Sequence, residues 1–322
     1  MEAIFLSLDL ENGSEVIVPT WTMSATISSI VNAGFVPRFI DINADNFTID
    51  VSIIADAIND RTGAICSVDI FGRPSEREFL RDICDRRSLY LVADSAQAPG
   101  AKYKGLAPSK WADVGGYSLN RHKHFQTGEG GVAVTDNLLI AERLQAIRNH
   151  GEIAAPGTLV GTRSIYGHNW RMGEIEAFLG YQQYMRFSEY IKYRRNVGEI
   201  LKRKFRNLDG INLEALPEYI EHDYYILGMR LSDERSRDFI ASALRAEGLP
   251  IVVSKYSELQ NLPAFNQYPS TPLKNAVQLN DHSFLGLYLA GHLFSDEDLI
   301  LIENVFVDIF NDPRSVASFF QD

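Results

Sequence analysis

The sequence predicts an α/β fold: a large domain with a mostly parallel sheet flanked by helices, followed by a smaller C-terminal α+β domain. Over the first half of the chain, short apolar runs that end in polar or glycine-containing turns alternate with segments of helical periodicity. This alternation is typical of a parallel sheet that is buried on both faces. A long charged helical region then interrupts the pattern, and the order of elements changes after it. At 322 residues the chain is long enough for two domains.

The large domain is assigned to residues 1–195. Its strand candidates are runs rich in Val, Ile and Leu: EVIVP (15–19), VPRFIDI (36–42), GAICSVDIF (63–71), LYLVAD (89–94) and GGVAVTD (130–136). The helix candidates between them have apolar residues three and four apart: SATISSIVNAG (24–34), VSIIADAIN (51–59) and SEREFLRDICDRR (75–87).

The small domain is assigned to residues 196–322. A helical region at 172–207, with few glycines and many charges, forms the bridge to it. The elements that follow are a strand at 224–231, a helix at 236–248 and a strand at 249–253. The last helix is expected to begin at Ser295, because Asp298 stands three residues later in a capping-box pattern.

Composition excludes several classes of function. The net charge of −11 and the pI of about 5.2 leave no general electrostatic footprint for nucleic acid or anionic membranes. Cys66 and Cys84 lie in an apolar run and a helical pattern, so they predict buried thiols rather than a disulfide or zinc site. The charge-free stretch 16–37 contains Pro19 and fits a strand, turn and helix better than a membrane span. No basic leader precedes it. We therefore expect a cytoplasmic protein.

Polar residues with chemical potential gather at one predicted sheet edge. Asp94 ends a buried strand, and Ser118 and Lys123 precede the next one. Ligands of parallel α/β sheets bind beyond the carboxyl ends of the strands. Taken alone, Asp94 is equally a turn or helix-capping residue, and Lys123 equally an exposed loop cation.

Lys123 stands between His122 and His124, five residues before the glycine turn TGEGG. A metal site on the two histidines would need further ligands, and no HExxH spacing is present. The turn does not match a nucleotide-binding loop, so its glycines are expected to serve backbone shape. A lysine and an acid at one edge do fit pyridoxal phosphate chemistry: the lysine forms a Schiff base and moves protons, and the acid keeps the pyridine nitrogen protonated.

Five motifs in order resemble the DegT/StrS family of pyridoxal-phosphate-dependent sugar aminotransferases. They are DSAQAPGAKYKG (94–105), YSLNRHKHFQTGEGG (117–131), RNHG (148–151), GHNWRMGEIEA (167–177) and the pair Arg194-Arg195. The resemblance spans nearly the whole chain and implies the type I fold of pyridoxal phosphate transferases. It also implies a reaction in which glutamate donates an amino group to a keto-sugar, most commonly a nucleotide-linked keto-deoxysugar.

The resemblance assigns roles around the cofactor. Asp94 would pair with the pyridine nitrogen, Gln97 would lie near the ring hydroxyl, and Ser118 would hold the phosphate. Lys123 would be the Schiff-base lysine, in the register set by the glycine five residues later; a slip of one residue would place a histidine there, as in related sugar dehydratases. Met23 stands where the family usually has an aromatic ring over the cofactor.

The resemblance also implies partners. Asn169 or Arg171 would reach the cofactor phosphate of a neighbouring subunit, which implies a homodimer with shared active sites. Apart from the resemblance, the candidates for substrate contact are Arg121, His124 and Lys255, and the basic groups that could bind a nucleotide diphosphate are Arg121, Arg148, Arg171 and Lys255. The basic residues among these are equally surface ion-pair partners. Neither the nucleotide nor the ring position is decided by the sequence, and a free cyclic ketone such as an inosose stays open.

One departure from the family leads to a competing expectation. The family has a Ser-Gly-Thr turn that binds phosphate ahead of the EVIVP strand, whereas this chain begins inside the helix that follows that turn. Loss of two charge-assisted hydrogen bonds would reduce cofactor affinity by about two to four decades. A truncated, inactive relative with weak cofactor binding is therefore the alternative to an active aminotransferase, and a sugar dehydratase is a third.

Overall fold

The computed structural model describes residues 1–152, 165–232, 237–253 and 259–311. Its strands are β1 (Glu15–Pro19), β2 (Val36–Ile40), β3 (Thr62–Val68), β4 (Tyr90–Asp94), β5 (Lys102–Tyr103), β6 (Val114–Ser118), β7 (Gly131–Val134), β8 (Ile211–Asn212), β9 (Ile220–Glu221), β10 (Ile226–Leu231), β11 (Ile251–Val252) and β12 (Phe284–Tyr288). Its α-helices are α1 (Glu2–Ser7), α2 (Ser24–Asn32), α3 (Ile54–Ala57), α4 (Arg77–Arg87), α5 (Leu138–Arg148), α6 (Glu174–Tyr184), α7 (Phe187–Phe205), α8 (Arg237–Ala246), α9 (Lys274–Gln278) and α10 (Asp296–Asn311).

A six-stranded sheet in the order β2-β1-β3-β4-β6-β7 forms the first half of the molecule. Every neighbouring pair in it is parallel except β6 and β7, which are antiparallel. The register aligns Val68 with Asp94 and Asp94 with Gly116, so three strands end at the same edge. This mostly parallel sheet confirms the predicted fold class.

Helices cover the large sheet on both faces. Strand side chains alternate between the faces, so Val16 and Val18 pack with α1, α2 and α5 while Ile17 packs with α3 and α4. The two cysteines lie in these cores and are unpaired, and burial raises the pKa of both thiols. None of the described helices has the length and apolar character needed to cross a bilayer.

A second, antiparallel sheet follows in the order β11-β12-β10-β8. The C-terminal half of α7 packs in its core together with α8 and α10, through Val197, Leu201 and Phe205 on the α7 side. The predicted boundary after residue 195 therefore lies inside α7. The two halves also contact each other: β5 pairs with β9, and the backbone N–H of Phe39 in β2 donates to Pro269 O at 2.9 Å. The division into two domains at this residue stays a prediction.

Most predicted elements form, with local differences. Ser295 and Asp298 do cap α10, since each side chain accepts from the other residue's backbone N–H. The predicted helix at 51–59 is a 3₁₀ turn followed by the four-residue α3. The helical region 172–207 is two helices, α6 and α7, separated at Met185 and Arg186.

Candidate active site

A cleft of about 1260 Å³ opens where β4 and β6 end. The predicted site residues on its wall are Met23, Asp94, Ser118, Lys123 and Arg171, and Arg148 lines it as well. Parallel strands that end together produce this gathering, because Asp94 ends β4 and Ser118 ends β6.

Asp94 is buried and held by two donors. Its Oδ2 accepts a hydrogen bond from Thr26 Oγ1 at 2.7 Å, and its Oδ1 accepts one from Ala96 N at 3.1 Å. Thr26 is itself hydrogen-bonded to Thr22, with 2.8 Å between the hydroxyl oxygens. The two donors fix the orientation of the carboxylate, which suits a group that pairs with a ring nitrogen. Thr26 is not among the sequence candidates, because a threonine in a helical pattern 68 residues away carries no signal of this contact.

Lys123 lies within the loop that connects β6 to β7, and backbone hydrogen bonds hold the two sides of this loop together. Leu119 N donates to Gly130 O at 2.9 Å, and Arg121 N donates to Gly128 O at 2.7 Å. Gly128 and Gly130 have φ values of 84° and 154°, and a Cβ on Gly130 would stand 2.9 Å from Thr127 Oγ1. The glycines therefore serve backbone shape, as the sequence predicts.

The amine of Lys123 is half-buried. Its Nζ lies 5.2 Å from the centroid of the Tyr225 ring, over the ring face. Burial lowers the pKa of Lys123 below its ordinary value, and the opposing charge of Asp94 offsets part of this effect. A larger fraction of neutral amine is therefore present near pH 7 than on a solvated lysine, and the neutral amine is the nucleophile.

His124 is buried next to Lys123 and is not among the residues that line the cleft. Its ring centroid lies 5.6 Å from that of Tyr225 and 6.1 Å from that of Tyr190. Burial, with smaller contributions from the charges of Arg194 and Lys123, lowers the pKa of His124 to about 3. Neither ring nitrogen has a hydrogen-bond partner in the part of the chain that the structure describes. Within the same described ranges, no cluster of three His, Cys, Asp or Glu side chains could hold a metal ion.

Replacing His124 with leucine is expected to flatten the acid side of the stability profile. The folded-state pKa lies below the ordinary 6.5, so the unfolded chain binds the extra proton and stability is lost as the pH falls from 6.5 toward 3. Between pH 6.5 and 4.5 the wild type should lose roughly 2 kcal/mol more free energy of unfolding than His124→Leu. Urea unfolding at each pH measures this. Replacing the exposed His282 with leucine is the control, and equal slopes for wild type and His124→Leu would contradict the prediction.

Of Gln97 and Met23, only Met23 lines the cleft. Gln97 is buried, and its Oε1 accepts a hydrogen bond from Phe71 N at 2.6 Å. Met23 precedes α2 and is 58% exposed on the cleft wall. Trp21, two residues earlier, belongs instead to a buried aromatic cluster with Phe71 and its neighbours. Of the two large side chains after β1, only Met23 lines the cleft.

The remaining predicted residues lie on the surface or outside the described ranges. Arg171 is exposed, and its Nη1 donates to Asn149 Oδ1 at 2.8 Å; Asn169 is exposed and forms a β-bridge with the same asparagine. Arg121 is exposed, and its Nε donates to His122 Nε2 at 3.1 Å. Lys255 lies outside the described residues.

The chain resembles known proteins over most of its length. Residues 1–297 match the sequence model of the DegT/DnrJ/EryC1/StrS aminotransferase family. GDP-perosamine synthase from Vibrio cholerae is 30% identical over 232 residues, which are 71% of this chain and 61% of that protein. The chain thus spans about three fifths of the length of the curated relatives it matches.

Solved structures have the same fold. An aminotransferase from Psychrobacter cryohalolentis superposes with a TM-score of 0.87 at 28% identity, covering 96% of this chain and 84% of that one. DesV from S. venezuelae, solved with a ketimine intermediate, superposes with a TM-score of 0.85 at 25% identity, covering 97% and 83%.

Proposed function

Because the chain belongs to the DegT/DnrJ/EryC1/StrS aminotransferase family, we propose that it is a pyridoxal-phosphate-dependent sugar aminotransferase. The reaction would transfer an amino group from glutamate to a keto-sugar. The observation that supports this most strongly is the pairing of Lys123 and Asp94 on one cleft wall, where the lysine has a lowered pKa and the buried carboxylate has two donors. An amine that is partly withdrawn from water and has a lowered pKa suits proton transfer at carbon, and the buried acid beside it suits the ring nitrogen.

The residues present fit pyridoxal phosphate. When bound, this cofactor supplies an electron sink for the carbanion that forms beside the substrate amine. Asp94 would hold the proton on the ring nitrogen, and Ser118, whose Oγ already accepts from Asn120 N at 3.3 Å, would donate to the phosphate. Lys123 Nζ would bind the cofactor and then move the proton. Gln97 would contact the ring hydroxyl, and Met23 would pack on the ring face.

A nucleotide-linked keto-sugar is the substrate class we favour. Arg148 lines the same cleft, and a guanidinium group binds the oxygens of a diphosphate in a fixed geometry. The likeness to GDP-perosamine synthase points to the same class. Arg121 on the exposed loop and Lys255 are the further candidates for substrate contact; His124, also a candidate from the sequence, is buried and does not line the cleft.

Titration with pyridoxal phosphate tests the function directly. The protein is titrated while its visible absorbance is followed, reduced with borohydride, digested and mapped by mass spectrometry. Label on the peptide that contains Lys123 at micromolar cofactor is the expected result. Label spread over exposed lysines such as Lys110, which is ion-paired with Asp136, would overturn the proposal. Formation of a new sugar amine from glutamate and a panel of nucleotide keto-sugars then separates amination from loss of water.

A homodimer is the proposed functional unit. Helix α6 exposes five large hydrophobic side chains, Ile175, Phe178, Leu179, Tyr181 and Tyr184, and Gly180 is the one residue of this helix that is buried. Ile175 is 75% and Phe178 62% exposed, and a contiguous apolar surface of this kind marks an interface. A twofold axis at α6 would bring Asn169 and Arg171, which directly precede the helix, toward the cleft of the second copy. There one of the two would contact the cofactor phosphate.

Aspartate at both Ile175 and Phe178 is expected to convert the dimer to monomer. Burying each side chain is worth about 1.5–3 kcal/mol, and a twofold interface loses each contact twice. The dissociation constant should therefore rise by four decades or more, on the order of 6–12 kcal/mol. Sedimentation velocity over a concentration series measures this. Leu293→Asp is the matched control, because Leu293 is 78% exposed on the other half of the molecule. An unchanged dimer in the double variant would place the interface elsewhere.

A further inference from the structure

Aromatic residues of the second sheet contact the lysine loop at three consecutive positions. Tyr288 OH donates to the backbone oxygen of His122 at 2.9 Å. The next residue, Lys123, has its Nζ over the ring face of Tyr225. The ring of His124 then meets the Tyr225 ring almost at right angles, with an interplanar angle of 87°. Two tyrosines therefore contact the lysine loop, and neither has a role in the reaction proposed above.

The antiparallel sheet fixes the two tyrosines to each other. Tyr225 directly precedes β10 and Tyr288 ends β12, and the register pairs Ile226 with Tyr288. Leu289 N donates to Tyr225 O at 3.2 Å. The two rings pack edge to face at 5.4 Å, and a side-chain hydrogen bond links them. Because Tyr225 is also 2% exposed, its ring has little freedom to move.

We propose that Tyr225 is a positioning residue for Lys123. Its ring face binds the amine of Lys123 whenever this amine is not bonded to the cofactor. Tyr288 holds the loop in register with the Tyr225 ring through its hydrogen bond to His122 O. The inference rests on the proposed function, in which Lys123 must leave the cofactor and then act on a proton from a defined place. An ammonium over an aromatic face is attracted to the ring quadrupole. Without that face the half-buried ammonium loses this attraction, while burial continues to disfavour its charge.

The groups that face the amine support this assignment. Asp94 is the carboxylate whose charge acts on Lys123, and it favours the charged form. His124 is neutral near pH 7 because it is buried and lies near the charge of Arg194. His122 is exposed and turned toward Arg121. The ring of Tyr225 is therefore the uncharged surface on which the ammonium form can rest as the proton moves.

Two substitutions separate the ring from the hydroxyl. Tyr225→Phe keeps the ring face and removes the hydroxyl, whereas Tyr225→Leu removes the ring and keeps an apolar side chain. In the cofactor-free protein, competitive acetylation with acetic anhydride from pH 6 to 11, read by mass spectrometry on the Lys123 peptide, gives the midpoint of amine titration. The midpoint should fall by about 0.5–1.5 pH units in Tyr225→Leu and stay unchanged in Tyr225→Phe, since only leucine removes the attraction to the cation.

Turnover supplies a second measurement. In the enzyme with bound cofactor, kcat should fall by about 10²-fold in Tyr225→Leu with KM unchanged. Tyr225→Phe should keep the wild-type kcat. Should Tyr225→Leu fail to fold, 3,4,5-trifluorophenylalanine at position 225 keeps the shape and weakens the ring quadrupole, and it should lower the midpoint as well. If the titration midpoint of Lys123 were identical in the phenylalanine, leucine and trifluorophenylalanine variants, the proposed role of the Tyr225 ring face would be overturned. Wild-type protein that takes no label from pyridoxal phosphate at Lys123 would instead overturn the function, because the acetylation series needs no cofactor.

Discussion

Replacing Lys123 with alanine is expected to abolish borohydride-stable incorporation of pyridoxal phosphate and to lower transamination by about 10⁴-fold or more. Lys123 combines two tasks, the covalent binding of the cofactor and the movement of the proton, and general acid–base catalysis alone contributes up to about 10⁴-fold. No second lysine stands with Lys123 on the cleft wall formed by the described residues. The remaining groups there would still bind the cofactor, so the loss should appear in kcat.

Two controls make the result specific to this amine. Lys110→Ala removes an exposed lysine that pairs with Asp136, and it should leave labelling and turnover unchanged. Lys123→Arg keeps a cation beside Asp94 but removes the neutral amine, and it should be as inactive as alanine. Thermal melting of each variant shows whether the fold is intact. Label retained by Lys123→Ala would show that the cofactor lysine is elsewhere. Loss of water from the sugar, in place of amination, would favour the dehydratase alternative.

The strands that sequence patterns predicted well are those whose residues face apolar neighbours on both sides. β1 begins and ends where the run EVIVP does, and β4 ends at Asp94 as LYLVAD predicts. β6 was missed because its segment VGGYS contains two glycines, which strand propensity penalises. Packing explains both: a Cβ on Gly115 would lie 2.6 Å from Ser109 Cβ, and one on Gly116 would lie 2.8 Å from Met1 Sδ. The first contact is with the turn directly before β6 and the second is with the start of the chain, so the residue pattern of the strand itself contains neither.

The candidate site shows the same division. From the sequence, Asp94, Ser118 and Lys123 are expected at one sheet edge, and all three line one cleft in the structure. The strand that carries Ser118 to this edge, β6, is not among the strand candidates, so only the position of Asp94 follows from a predicted strand end; the chemical roles stay predictions. Thr26 and Tyr225 could not be found this way. The first reaches Asp94 from a helix 68 residues earlier, and the second approaches Lys123 from the other sheet. Both contacts depend on how helices and sheets dock, and that is absent from local periodicity.

A buried ion pair beneath the cleft holds the strand ends in place. Arg77 of α4 donates to Asp69, and both side chains are fully buried. Asp69 Oδ1 also accepts from Ser75 N at 2.9 Å, and its Oδ2 accepts from Ser95 Oγ at 2.6 Å. The backbone N–H of Asp69 donates to Asp94 O at 2.9 Å. The pair therefore connects the loops after β3 and β4 directly below the acid of the site.

Replacing Arg77 with methionine is expected to lower the free energy of unfolding by about 3–5 kcal/mol, because Asp69 then stays buried without its countercharge. Arg86→Met is the matched control: Arg86 lies on the same helix and pairs with Asp82, but both are exposed, so the loss should be at most about 1 kcal/mol. Urea unfolding followed by circular dichroism measures both. Adding Asp69→Asn to Arg77→Met should recover part of the loss, since a neutral amide is less costly to bury than a lone carboxylate. If the double variant were no more stable than Arg77→Met alone, the cost would come from lost packing around the arginine stem, and the charge of Asp69 would not be what Arg77 offsets.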